Sequence, residues 1–211
     1  MRLVVTDVDS TFITAEVIEL LAARAGAREQ VAEITERAMR GELDFAASLH
    51  ERVATLAGLP VSVFADVLDE VELTPGAAEL VAELQARGWP IALVSGGFAE
   101  VVEPLAASLG IEHVRANRLE VTGGRLTGRV TGEVVDRAAK ERALREFAAA
   151  FDVPLGLTIA IGDGANDLDM LGAAGLGIAF NAKPLVCAEV DFEVTGRLDA
   201  VLEIIDSHPV D

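Results

Sequence analysis

The sequence predicts an α/β protein on a mostly parallel sheet, with a helical block inserted after the first strand and a β-hairpin further on. Three observations predict it. Short apolar runs alternate with alanine-rich helical stretches, as in chains that cover both faces of a sheet with helices. Residues 16–70, between the first two runs, contain no convincing strand. Residues 117–135 alternate in polarity and turn at Gly123-Gly124, the pattern of a hairpin.

Taken in order, the strands are expected at residues 3–5, 91–94, 157–161 and 176–180. Each run is continuous and apolar, as strands buried on both faces are. Helices are expected over 74–87, opened by Thr74-Pro75-Gly76, and over 98–109, 138–151 and 165–173. Within the inserted block, Gly26, Gly41 and Gly58-Leu59-Pro60 punctuate several helices. Residues 14–73 therefore read as a cap, and residues 1–13 with 74–211 as the core that carries it. Hinges are expected near residues 12–14 and 72–74, where cap meets core.

Composition narrows the partners. The chain has 211 residues, enough for one sizeable core plus a small insertion. Its 51% hydrophobic and 25% charged residues are those of a folded chain. Lys and Arg total 17 against 35 Asp and Glu, a net charge of −18. Such acidity argues against nucleic acid and against an anionic membrane surface as partners. A single cysteine, Cys187, excludes a disulfide framework and a multi-cysteine metal site, and His50, His113 and His208 have no ligand spacing. Trp89, His113 and Cys187 read as packing or surface residues. With no signal-peptide pattern and no apolar run of bilayer length, a cytoplasmic location is expected.

Chemistry concentrates at strand ends. The first strand runs into Asp7-Val8-Asp9-Ser10-Thr11, where ligands bind in open parallel sheets. The same two acids also suit simple capping of the following turn. Gly162-Asp163-Gly164-Ala165-Asn166-Asp167 follows another strand and brings two more carboxylates to that edge. Four converging acids repel unless a divalent cation joins them, and an oxygen-only donor set favours Mg²⁺. Val94-Ser95-Gly96-Gly97-Phe98 reads as a strand entering a helix, whose N–H groups attract anions. Ser95 equally suits a plain N-cap. Lys140 is one of two lysines, with Lys183, against fifteen arginines; by itself it also fits a solvated helix end.

Those elements occur in the order of the haloacid dehalogenase superfamily, aspartate-nucleophile phosphatases that the sequence resembles. VSGGF, ANRL, GEVV and GDGANDLDML, with the helical cap, resemble its phosphoserine phosphatases over nearly the whole length. The resemblance implies a Rossmann-like core and hydrolysis of phosphoserine to serine and phosphate, closing serine synthesis. It also implies that the additional N-terminal regulatory domain of some relatives is lacking here.

The same resemblance assigns roles. Asp7 becomes the nucleophile and Asp9 the general acid/base, with a pKa expected to be raised by acidic neighbours. Mg²⁺ is held by Asp7, Asp163 and the main-chain carbonyl of Asp9, while Asp167 orients Lys140 and a water on the metal. Ser95, Lys140, Asn166 and the N–H groups of a tight Gly96-Gly97 turn hold the phosphoryl group. Glu16 meets the substrate ammonium and Arg52 its carboxylate, although a helix's first turn favours Glu16 anyway and Arg52 reads otherwise as a solvated helix residue. Met39 and Phe45, by default core residues of the cap, exclude water over the site.

A phosphatase or phosphotransferase for another small phosphomonoester, such as phosphothreonine, phosphoethanolamine or a sugar phosphate, is the nearest alternative. A zwitterionic head needs both Glu16 and Arg52, and a sugar needs neither. A phosphoaspartate receiver also uses Mg²⁺, but is a shorter domain without a cap. A nucleotide-binding module is set aside because Gly162-x-Gly164 is too short for the dinucleotide fingerprint. A monomer or homodimer is expected.

Overall fold

The computed structural model describes residues 1–208. Strand β1 (Leu3–Thr6) is followed by four helices, α1 (Val17–Arg24), α2 (Arg28–Met39), α3 (Phe45–Ala54) and α4 (Val63–Leu68). Then come α5 (Ala77–Ala86), β2 (Ile91–Phe98), α6 (Ala99–Ser108), β3 (His113–Thr122), β4 (Arg125–Thr131) and α7 (Arg137–Ala150). The chain closes with β5 (Thr158–Gly162), α8 (Leu168–Ala173), β6 (Leu176–Phe180), α9 (Pro184–Cys187), β7 (Phe192–Val194) and α10 (Val201–Ser207). The single helix expected over 165–173 is divided: Ala165–Asp167 form a 3₁₀ turn that leads into α8.

The seven strands form one sheet in the order β4-β3-β2-β1-β5-β6-β7, parallel except for the antiparallel β3–β4 pair. The period-2 alternation of strand side chains splits the core across it. Val4, Leu93, Ile159, Ile161 and Ile178 pack on one face, with α5, α6 and α1. Leu3, Val5, Val94, Ala160 and Ala179 pack on the other, against Leu144, Phe147 and Met170 of α7 and α8. The alanines near the strand backbones let those helices approach closely.

The hairpin differs from its expected form. β3 starts at His113 and pairs in parallel with β2 before turning at Gly123-Gly124, so the hairpin extends the main sheet. β2 runs to Phe98, and the N-cap of α6 is Phe98, so Ser95 lies inside a strand and caps no helix. The expected tight turn at Gly96-Gly97 is instead a bulge in the β2–β3 register between Ser95 and Phe98. His113 packs edge-on against Phe147 and Phe151, and Trp89 stacks under Arg2 and Arg87, both packing roles.

The helical segment is tied to the sheet twice. Its two connections pair with each other: Thr14 N–H donates to Glu72 and Thr74 N–H to Phe12, each at 3.0 Å. Further along, Gly58 and Leu126 and then Leu59 and Leu126 exchange backbone bonds of 2.8 and 2.9 Å, joining the stretch after α3 to the hairpin. Among the described residues no helix is long and apolar enough to cross a membrane.

Candidate active site

β1 is central, with β2 on one side and β5 on the other, so the sheet changes direction of winding there. This is the position at which open α/β sheets bind ligands. Asp7 leaves the end of β1, Asp163 the end of β5, and Ser95 sits near the end of β2. Thus three distant stretches of sequence meet at one edge because the strand order brings them there.

Lys140 organises this floor. It lies on the buried face of α7 and is 0% exposed, which contradicts a solvated helix end. Its Nζ donates to Asp7 Oδ1 at 2.6 Å and to Asp167 Oδ1 at 2.7 Å. Burial alone would lower its pKa, but Asp167 and Asp7 outweigh burial and push it up, so the ammonium stays charged. Asp167 is committed further: Oδ2 accepts the N–H groups of Gly164 and Asp163 at 3.0 and 3.2 Å. It is therefore an anchor for the turn after β5.

Carboxylates outnumber that one ammonium. Oxygens of Asp7, Asp163 and Asp167 lie within 4.8 Å of one another. Burial first, then the Asp167 charge, pushes the Asp7 carboxyl well above its usual range and that of Asp163 to about 7. An all-oxygen, proton-hungry triad of this kind can hold a metal ion, whose charge replaces those protons. Thr11, unassigned by the sequence, donates to Asp163 Oδ1 at 3.3 Å.

Asp9 faces the other way. Its Oδ1 accepts the Val17 N–H at 2.7 Å, capping α1, and its Oδ2 accepts the Ser95 hydroxyl at 2.8 Å. Its pKa is raised as expected, with burial rather than the neighbouring acids as the largest cause. Burial raises it, while the Val17 and Ser95 bonds and the charges of Lys140 and Arg52 all pull it down. Ser95 Oγ in turn accepts the Gly97 N–H at 2.7 Å. A Cβ on Gly97 would stand 2.5 Å from Asp9 Oδ2, so the residue is glycine for space.

The helical segment roofs a small, partly open cavity of about 20 Å³, room for about one water molecule. Asp7, Asp9, Gly96, Gly97 and Asn166 line its floor, and Glu16, Met39, Phe45 and Arg52 its roof, with Ile18 and Leu49 completing the wall. Ile18 and Leu49 are indistinguishable by sequence from ordinary helix core. Phe45 closes on Gly96, where a Cβ would meet its ring at 2.7 Å.

Arg52 is 2% exposed, which removes the solvated-helix reading. Nε donates to the Ser48 carbonyl at 3.1 Å and Nη1 to Thr35 Oγ1 at 2.9 Å. Among the described residues its Nη2 has no partner, nor has Asn166 Oδ1, although both are buried. Unpaired buried donors and acceptors are costly and rare, and these two, unlike the likewise unpartnered Glu100 Oε2, belong to residues lining the cavity, where a ligand can supply their partners. Glu16 is the N-cap of α1 by backbone, yet its side chain caps nothing there and accepts the Ser10 hydroxyl at 2.7 Å. Burial first, then the charges of Asp9 and Asp163, pushes its carboxyl up to about 8. A cationic group arriving beside it restores the anion.

The haloacid dehalogenase-like hydrolase family profile matches residues 4–172. A phosphoserine phosphatase of Streptomyces coelicolor is 63% identical over 185 residues, which cover 88% of this chain and 45% of that protein. A phosphoserine phosphatase of Streptococcus thermophilus is 53% identical over 205 residues, covering 97% of this chain and 95% of that one. This chain thus spans under half of the first relative and nearly all of the second. A solved structure described as a phospho-aspartyl intermediate analogue of phosphoserine phosphatase superposes with a TM-score of 0.93 at 40% identity, covering 96% and 98% of the two chains. Matched across most of its length in sequence and fold, the chain belongs to the haloacid dehalogenase-like hydrolases.

Proposed function

We propose that this chain is a Mg²⁺-dependent phosphoserine phosphatase that hydrolyses O-phospho-L-serine through an aspartyl-phosphate on Asp7. The observation that carries the substrate is the buried Arg52 with its unpartnered Nη2, across a small cavity from Asp7 and beside Glu16. A phosphoryl group at Asp7 then leaves an amino-acid head between a guanidinium and a carboxylate. The planar fork of arginine suits that head's carboxylate.

In this reading residues 14–73 are the cap, and residues 1–13 with 74–211 the catalytic core. An Asp7 oxygen attacks phosphorus, and the bond from phosphorus to the seryl oxygen breaks as Asp9 delivers its proton to that oxygen. A water then attacks phosphorus, Asp9 takes its proton, and phosphate leaves Asp7 free. Ser95, Lys140 and the Gly96 N–H hold phosphoryl oxygens, with Asn166 beside them; the Gly97 N–H steadies Ser95 Oγ, and Lys140 also fixes the Asp7 carboxylate. Arrival of a phosphoryl oxygen draws the Ser95 hydroxyl from Asp9, removing a bond that lowers its proton affinity when an acid is needed. Asp7, Asp163 and the Asp9 main-chain carbonyl hold Mg²⁺, which when bound offsets negative charge on the phosphoryl oxygens. Met39 and Phe45 keep bulk water out. Because the segment after α3 is tied to the hairpin, opening falls mainly to α2 and residues 40–44, beyond the hinges at 12–14 and 72–74. We further infer a cytoplasmic location.

The test is phosphate release from phosphoserine, phosphothreonine, phosphoethanolamine and sugar phosphates, with and without EDTA. Phosphoserine turnover at least about tenfold above the sugar phosphates, abolished by EDTA and restored by Mg²⁺, is the expected result. Equal turnover across the panel would remove the assignment.

A further inference from the structure

Asn117 is not among the residues lining the cavity, yet it is 2% exposed and both ends of its amide are committed. It lies on β3 opposite the bulge in β2. Its Nδ2 donates to the Gly96 carbonyl and its Oδ1 accepts the Val135 N–H, each at 2.8 Å. The Gly96 carbonyl and Gly97 N–H belong to one peptide unit, and that N–H donates to Ser95 Oγ, which donates to Asp9. Three hydrogen bonds therefore run in series from Asn117 to Asp9, each polarising the next. With one lone pair of Ser95 Oγ taken by Gly97, the hydroxyl proton is left to point into the site. On its other side Asn117 holds Val135, next to Asp136, the N-cap of α7; Lys140 follows one turn later and donates its N–H to the Asp136 carbonyl at 2.9 Å. Asparagine is a poor strand residue, so strand formation gives no reason for it here.

We propose that Asn117 is a positioning residue for phosphoryl transfer, holding the Gly96–Gly97 peptide and the start of α7 together so that Ser95 and Lys140 address one phosphoryl group. The proposal rests on reading the cavity as a phosphomonoester hydrolase site. Losing the Nδ2 donor frees the peptide to rotate and releases Ser95 Oγ. Misplacement of this kind costs up to about 100-fold in rate, and it falls on kcat because the affected contacts tighten in the transition state.

Asn117→Asp keeps the acceptor for Val135 and removes the donor to Gly96; Asn117→Ala removes both without adding charge. In variants that keep the wild-type circular dichroism spectrum, kcat on phosphoserine should fall at least about tenfold while KM stays within about threefold. The Gly97 amide, followed by hydrogen exchange, should exchange faster than in the wild type. A folded variant with kcat within about twofold of wild type, or a loss confined to KM, overturns the proposal. Should neither variant fold, wild-type Gly97 decides alone, and exchange as fast as that of the exposed Gly123 turn overturns the relay. A wild-type chain inactive on phosphoserine instead defeats the functional reading, since Gly97 protection is measured without turnover.

Discussion

The floor and the roof of the cavity are built on opposite principles. On the floor, every charged group already has a protein partner, with only the uncharged Asn166 Oδ1 left without one among the described residues: Lys140 grips Asp7 and Asp167, Asp167 caps the turn of Asp163 and Gly164, Thr11 donates to Asp163, and Asp9 takes both Val17 N–H and Ser95. The roof leaves a group waiting: among the described residues Arg52 Nη2 is buried without a partner, and Glu16, held by the Ser10 hydroxyl alone, is pushed by burial to a pKa of about 8. A preorganised floor suits chemistry, because the groups that meet developing charge need not reorganise. An unsatisfied roof suits selection, because a ligand that satisfies it gains what an ill-fitting one cannot.

That contrast predicts different failures. Asp7→Asn removes the proposed nucleophile from an intact floor, and phosphate release should fall at least about 10⁴-fold with the fold retained. Substantial residual turnover in steady-state assays would exclude the role. Arg52→Ala strikes the roof: KM for phosphoserine should rise on the order of 100-fold with kcat changed little, since the guanidinium binds ground and transition states alike. A pure kcat loss would contradict it. Gly96→Ala puts a methyl 2.7 Å from the Phe45 ring, holding the roof ajar. About a tenfold loss in kcat/KM is expected, partly recovered by adding Phe45→Leu; no recovery would place the damage elsewhere.

The smallest effect is on stability. Carboxyl pKa values raised in the fold, to about 7 for Asp163 and about 8 for Glu16, mean that the folded metal-free protein holds protons the unfolded chain has already released. Its stability should therefore fall as pH rises from about 5 to 8. Mg²⁺ should raise the melting temperature more at pH 8 than at pH 6. A metal effect larger at pH 6 would contradict this electrostatic picture.

Much of the floor was legible because its residues cluster in short motifs at strand ends, where parallel sheets place ligands. The inserted helices were legible from the lack of any strand signal and from glycine punctuation. β7 and α10 were not, since Phe192–Val194 is three residues long with a charged centre and α10 follows a 3₁₀ turn. Ser95 was placed where a strand enters a helix, rather than inside β2, because a bulge leaves no periodic signal. Thr11, Ser10 and Asn117 matter through partners far away in sequence, which only the assembled sheet brings together. Neighbouring acids pointed to the raised pKa of Asp9, but its largest cause, burial, depends on the assembled fold and leaves no mark in the sequence.

The central claim is that the roof selects an amino-acid head. Phosphoserine and phosphoethanolamine share phosphate and ammonium and differ in the carboxylate assigned to Arg52. The ratio of their kcat/KM values should exceed about tenfold in the wild type and collapse toward one in Arg52→Ala. A wild-type ratio near one, or a ratio that survives loss of the guanidinium, would contradict the account.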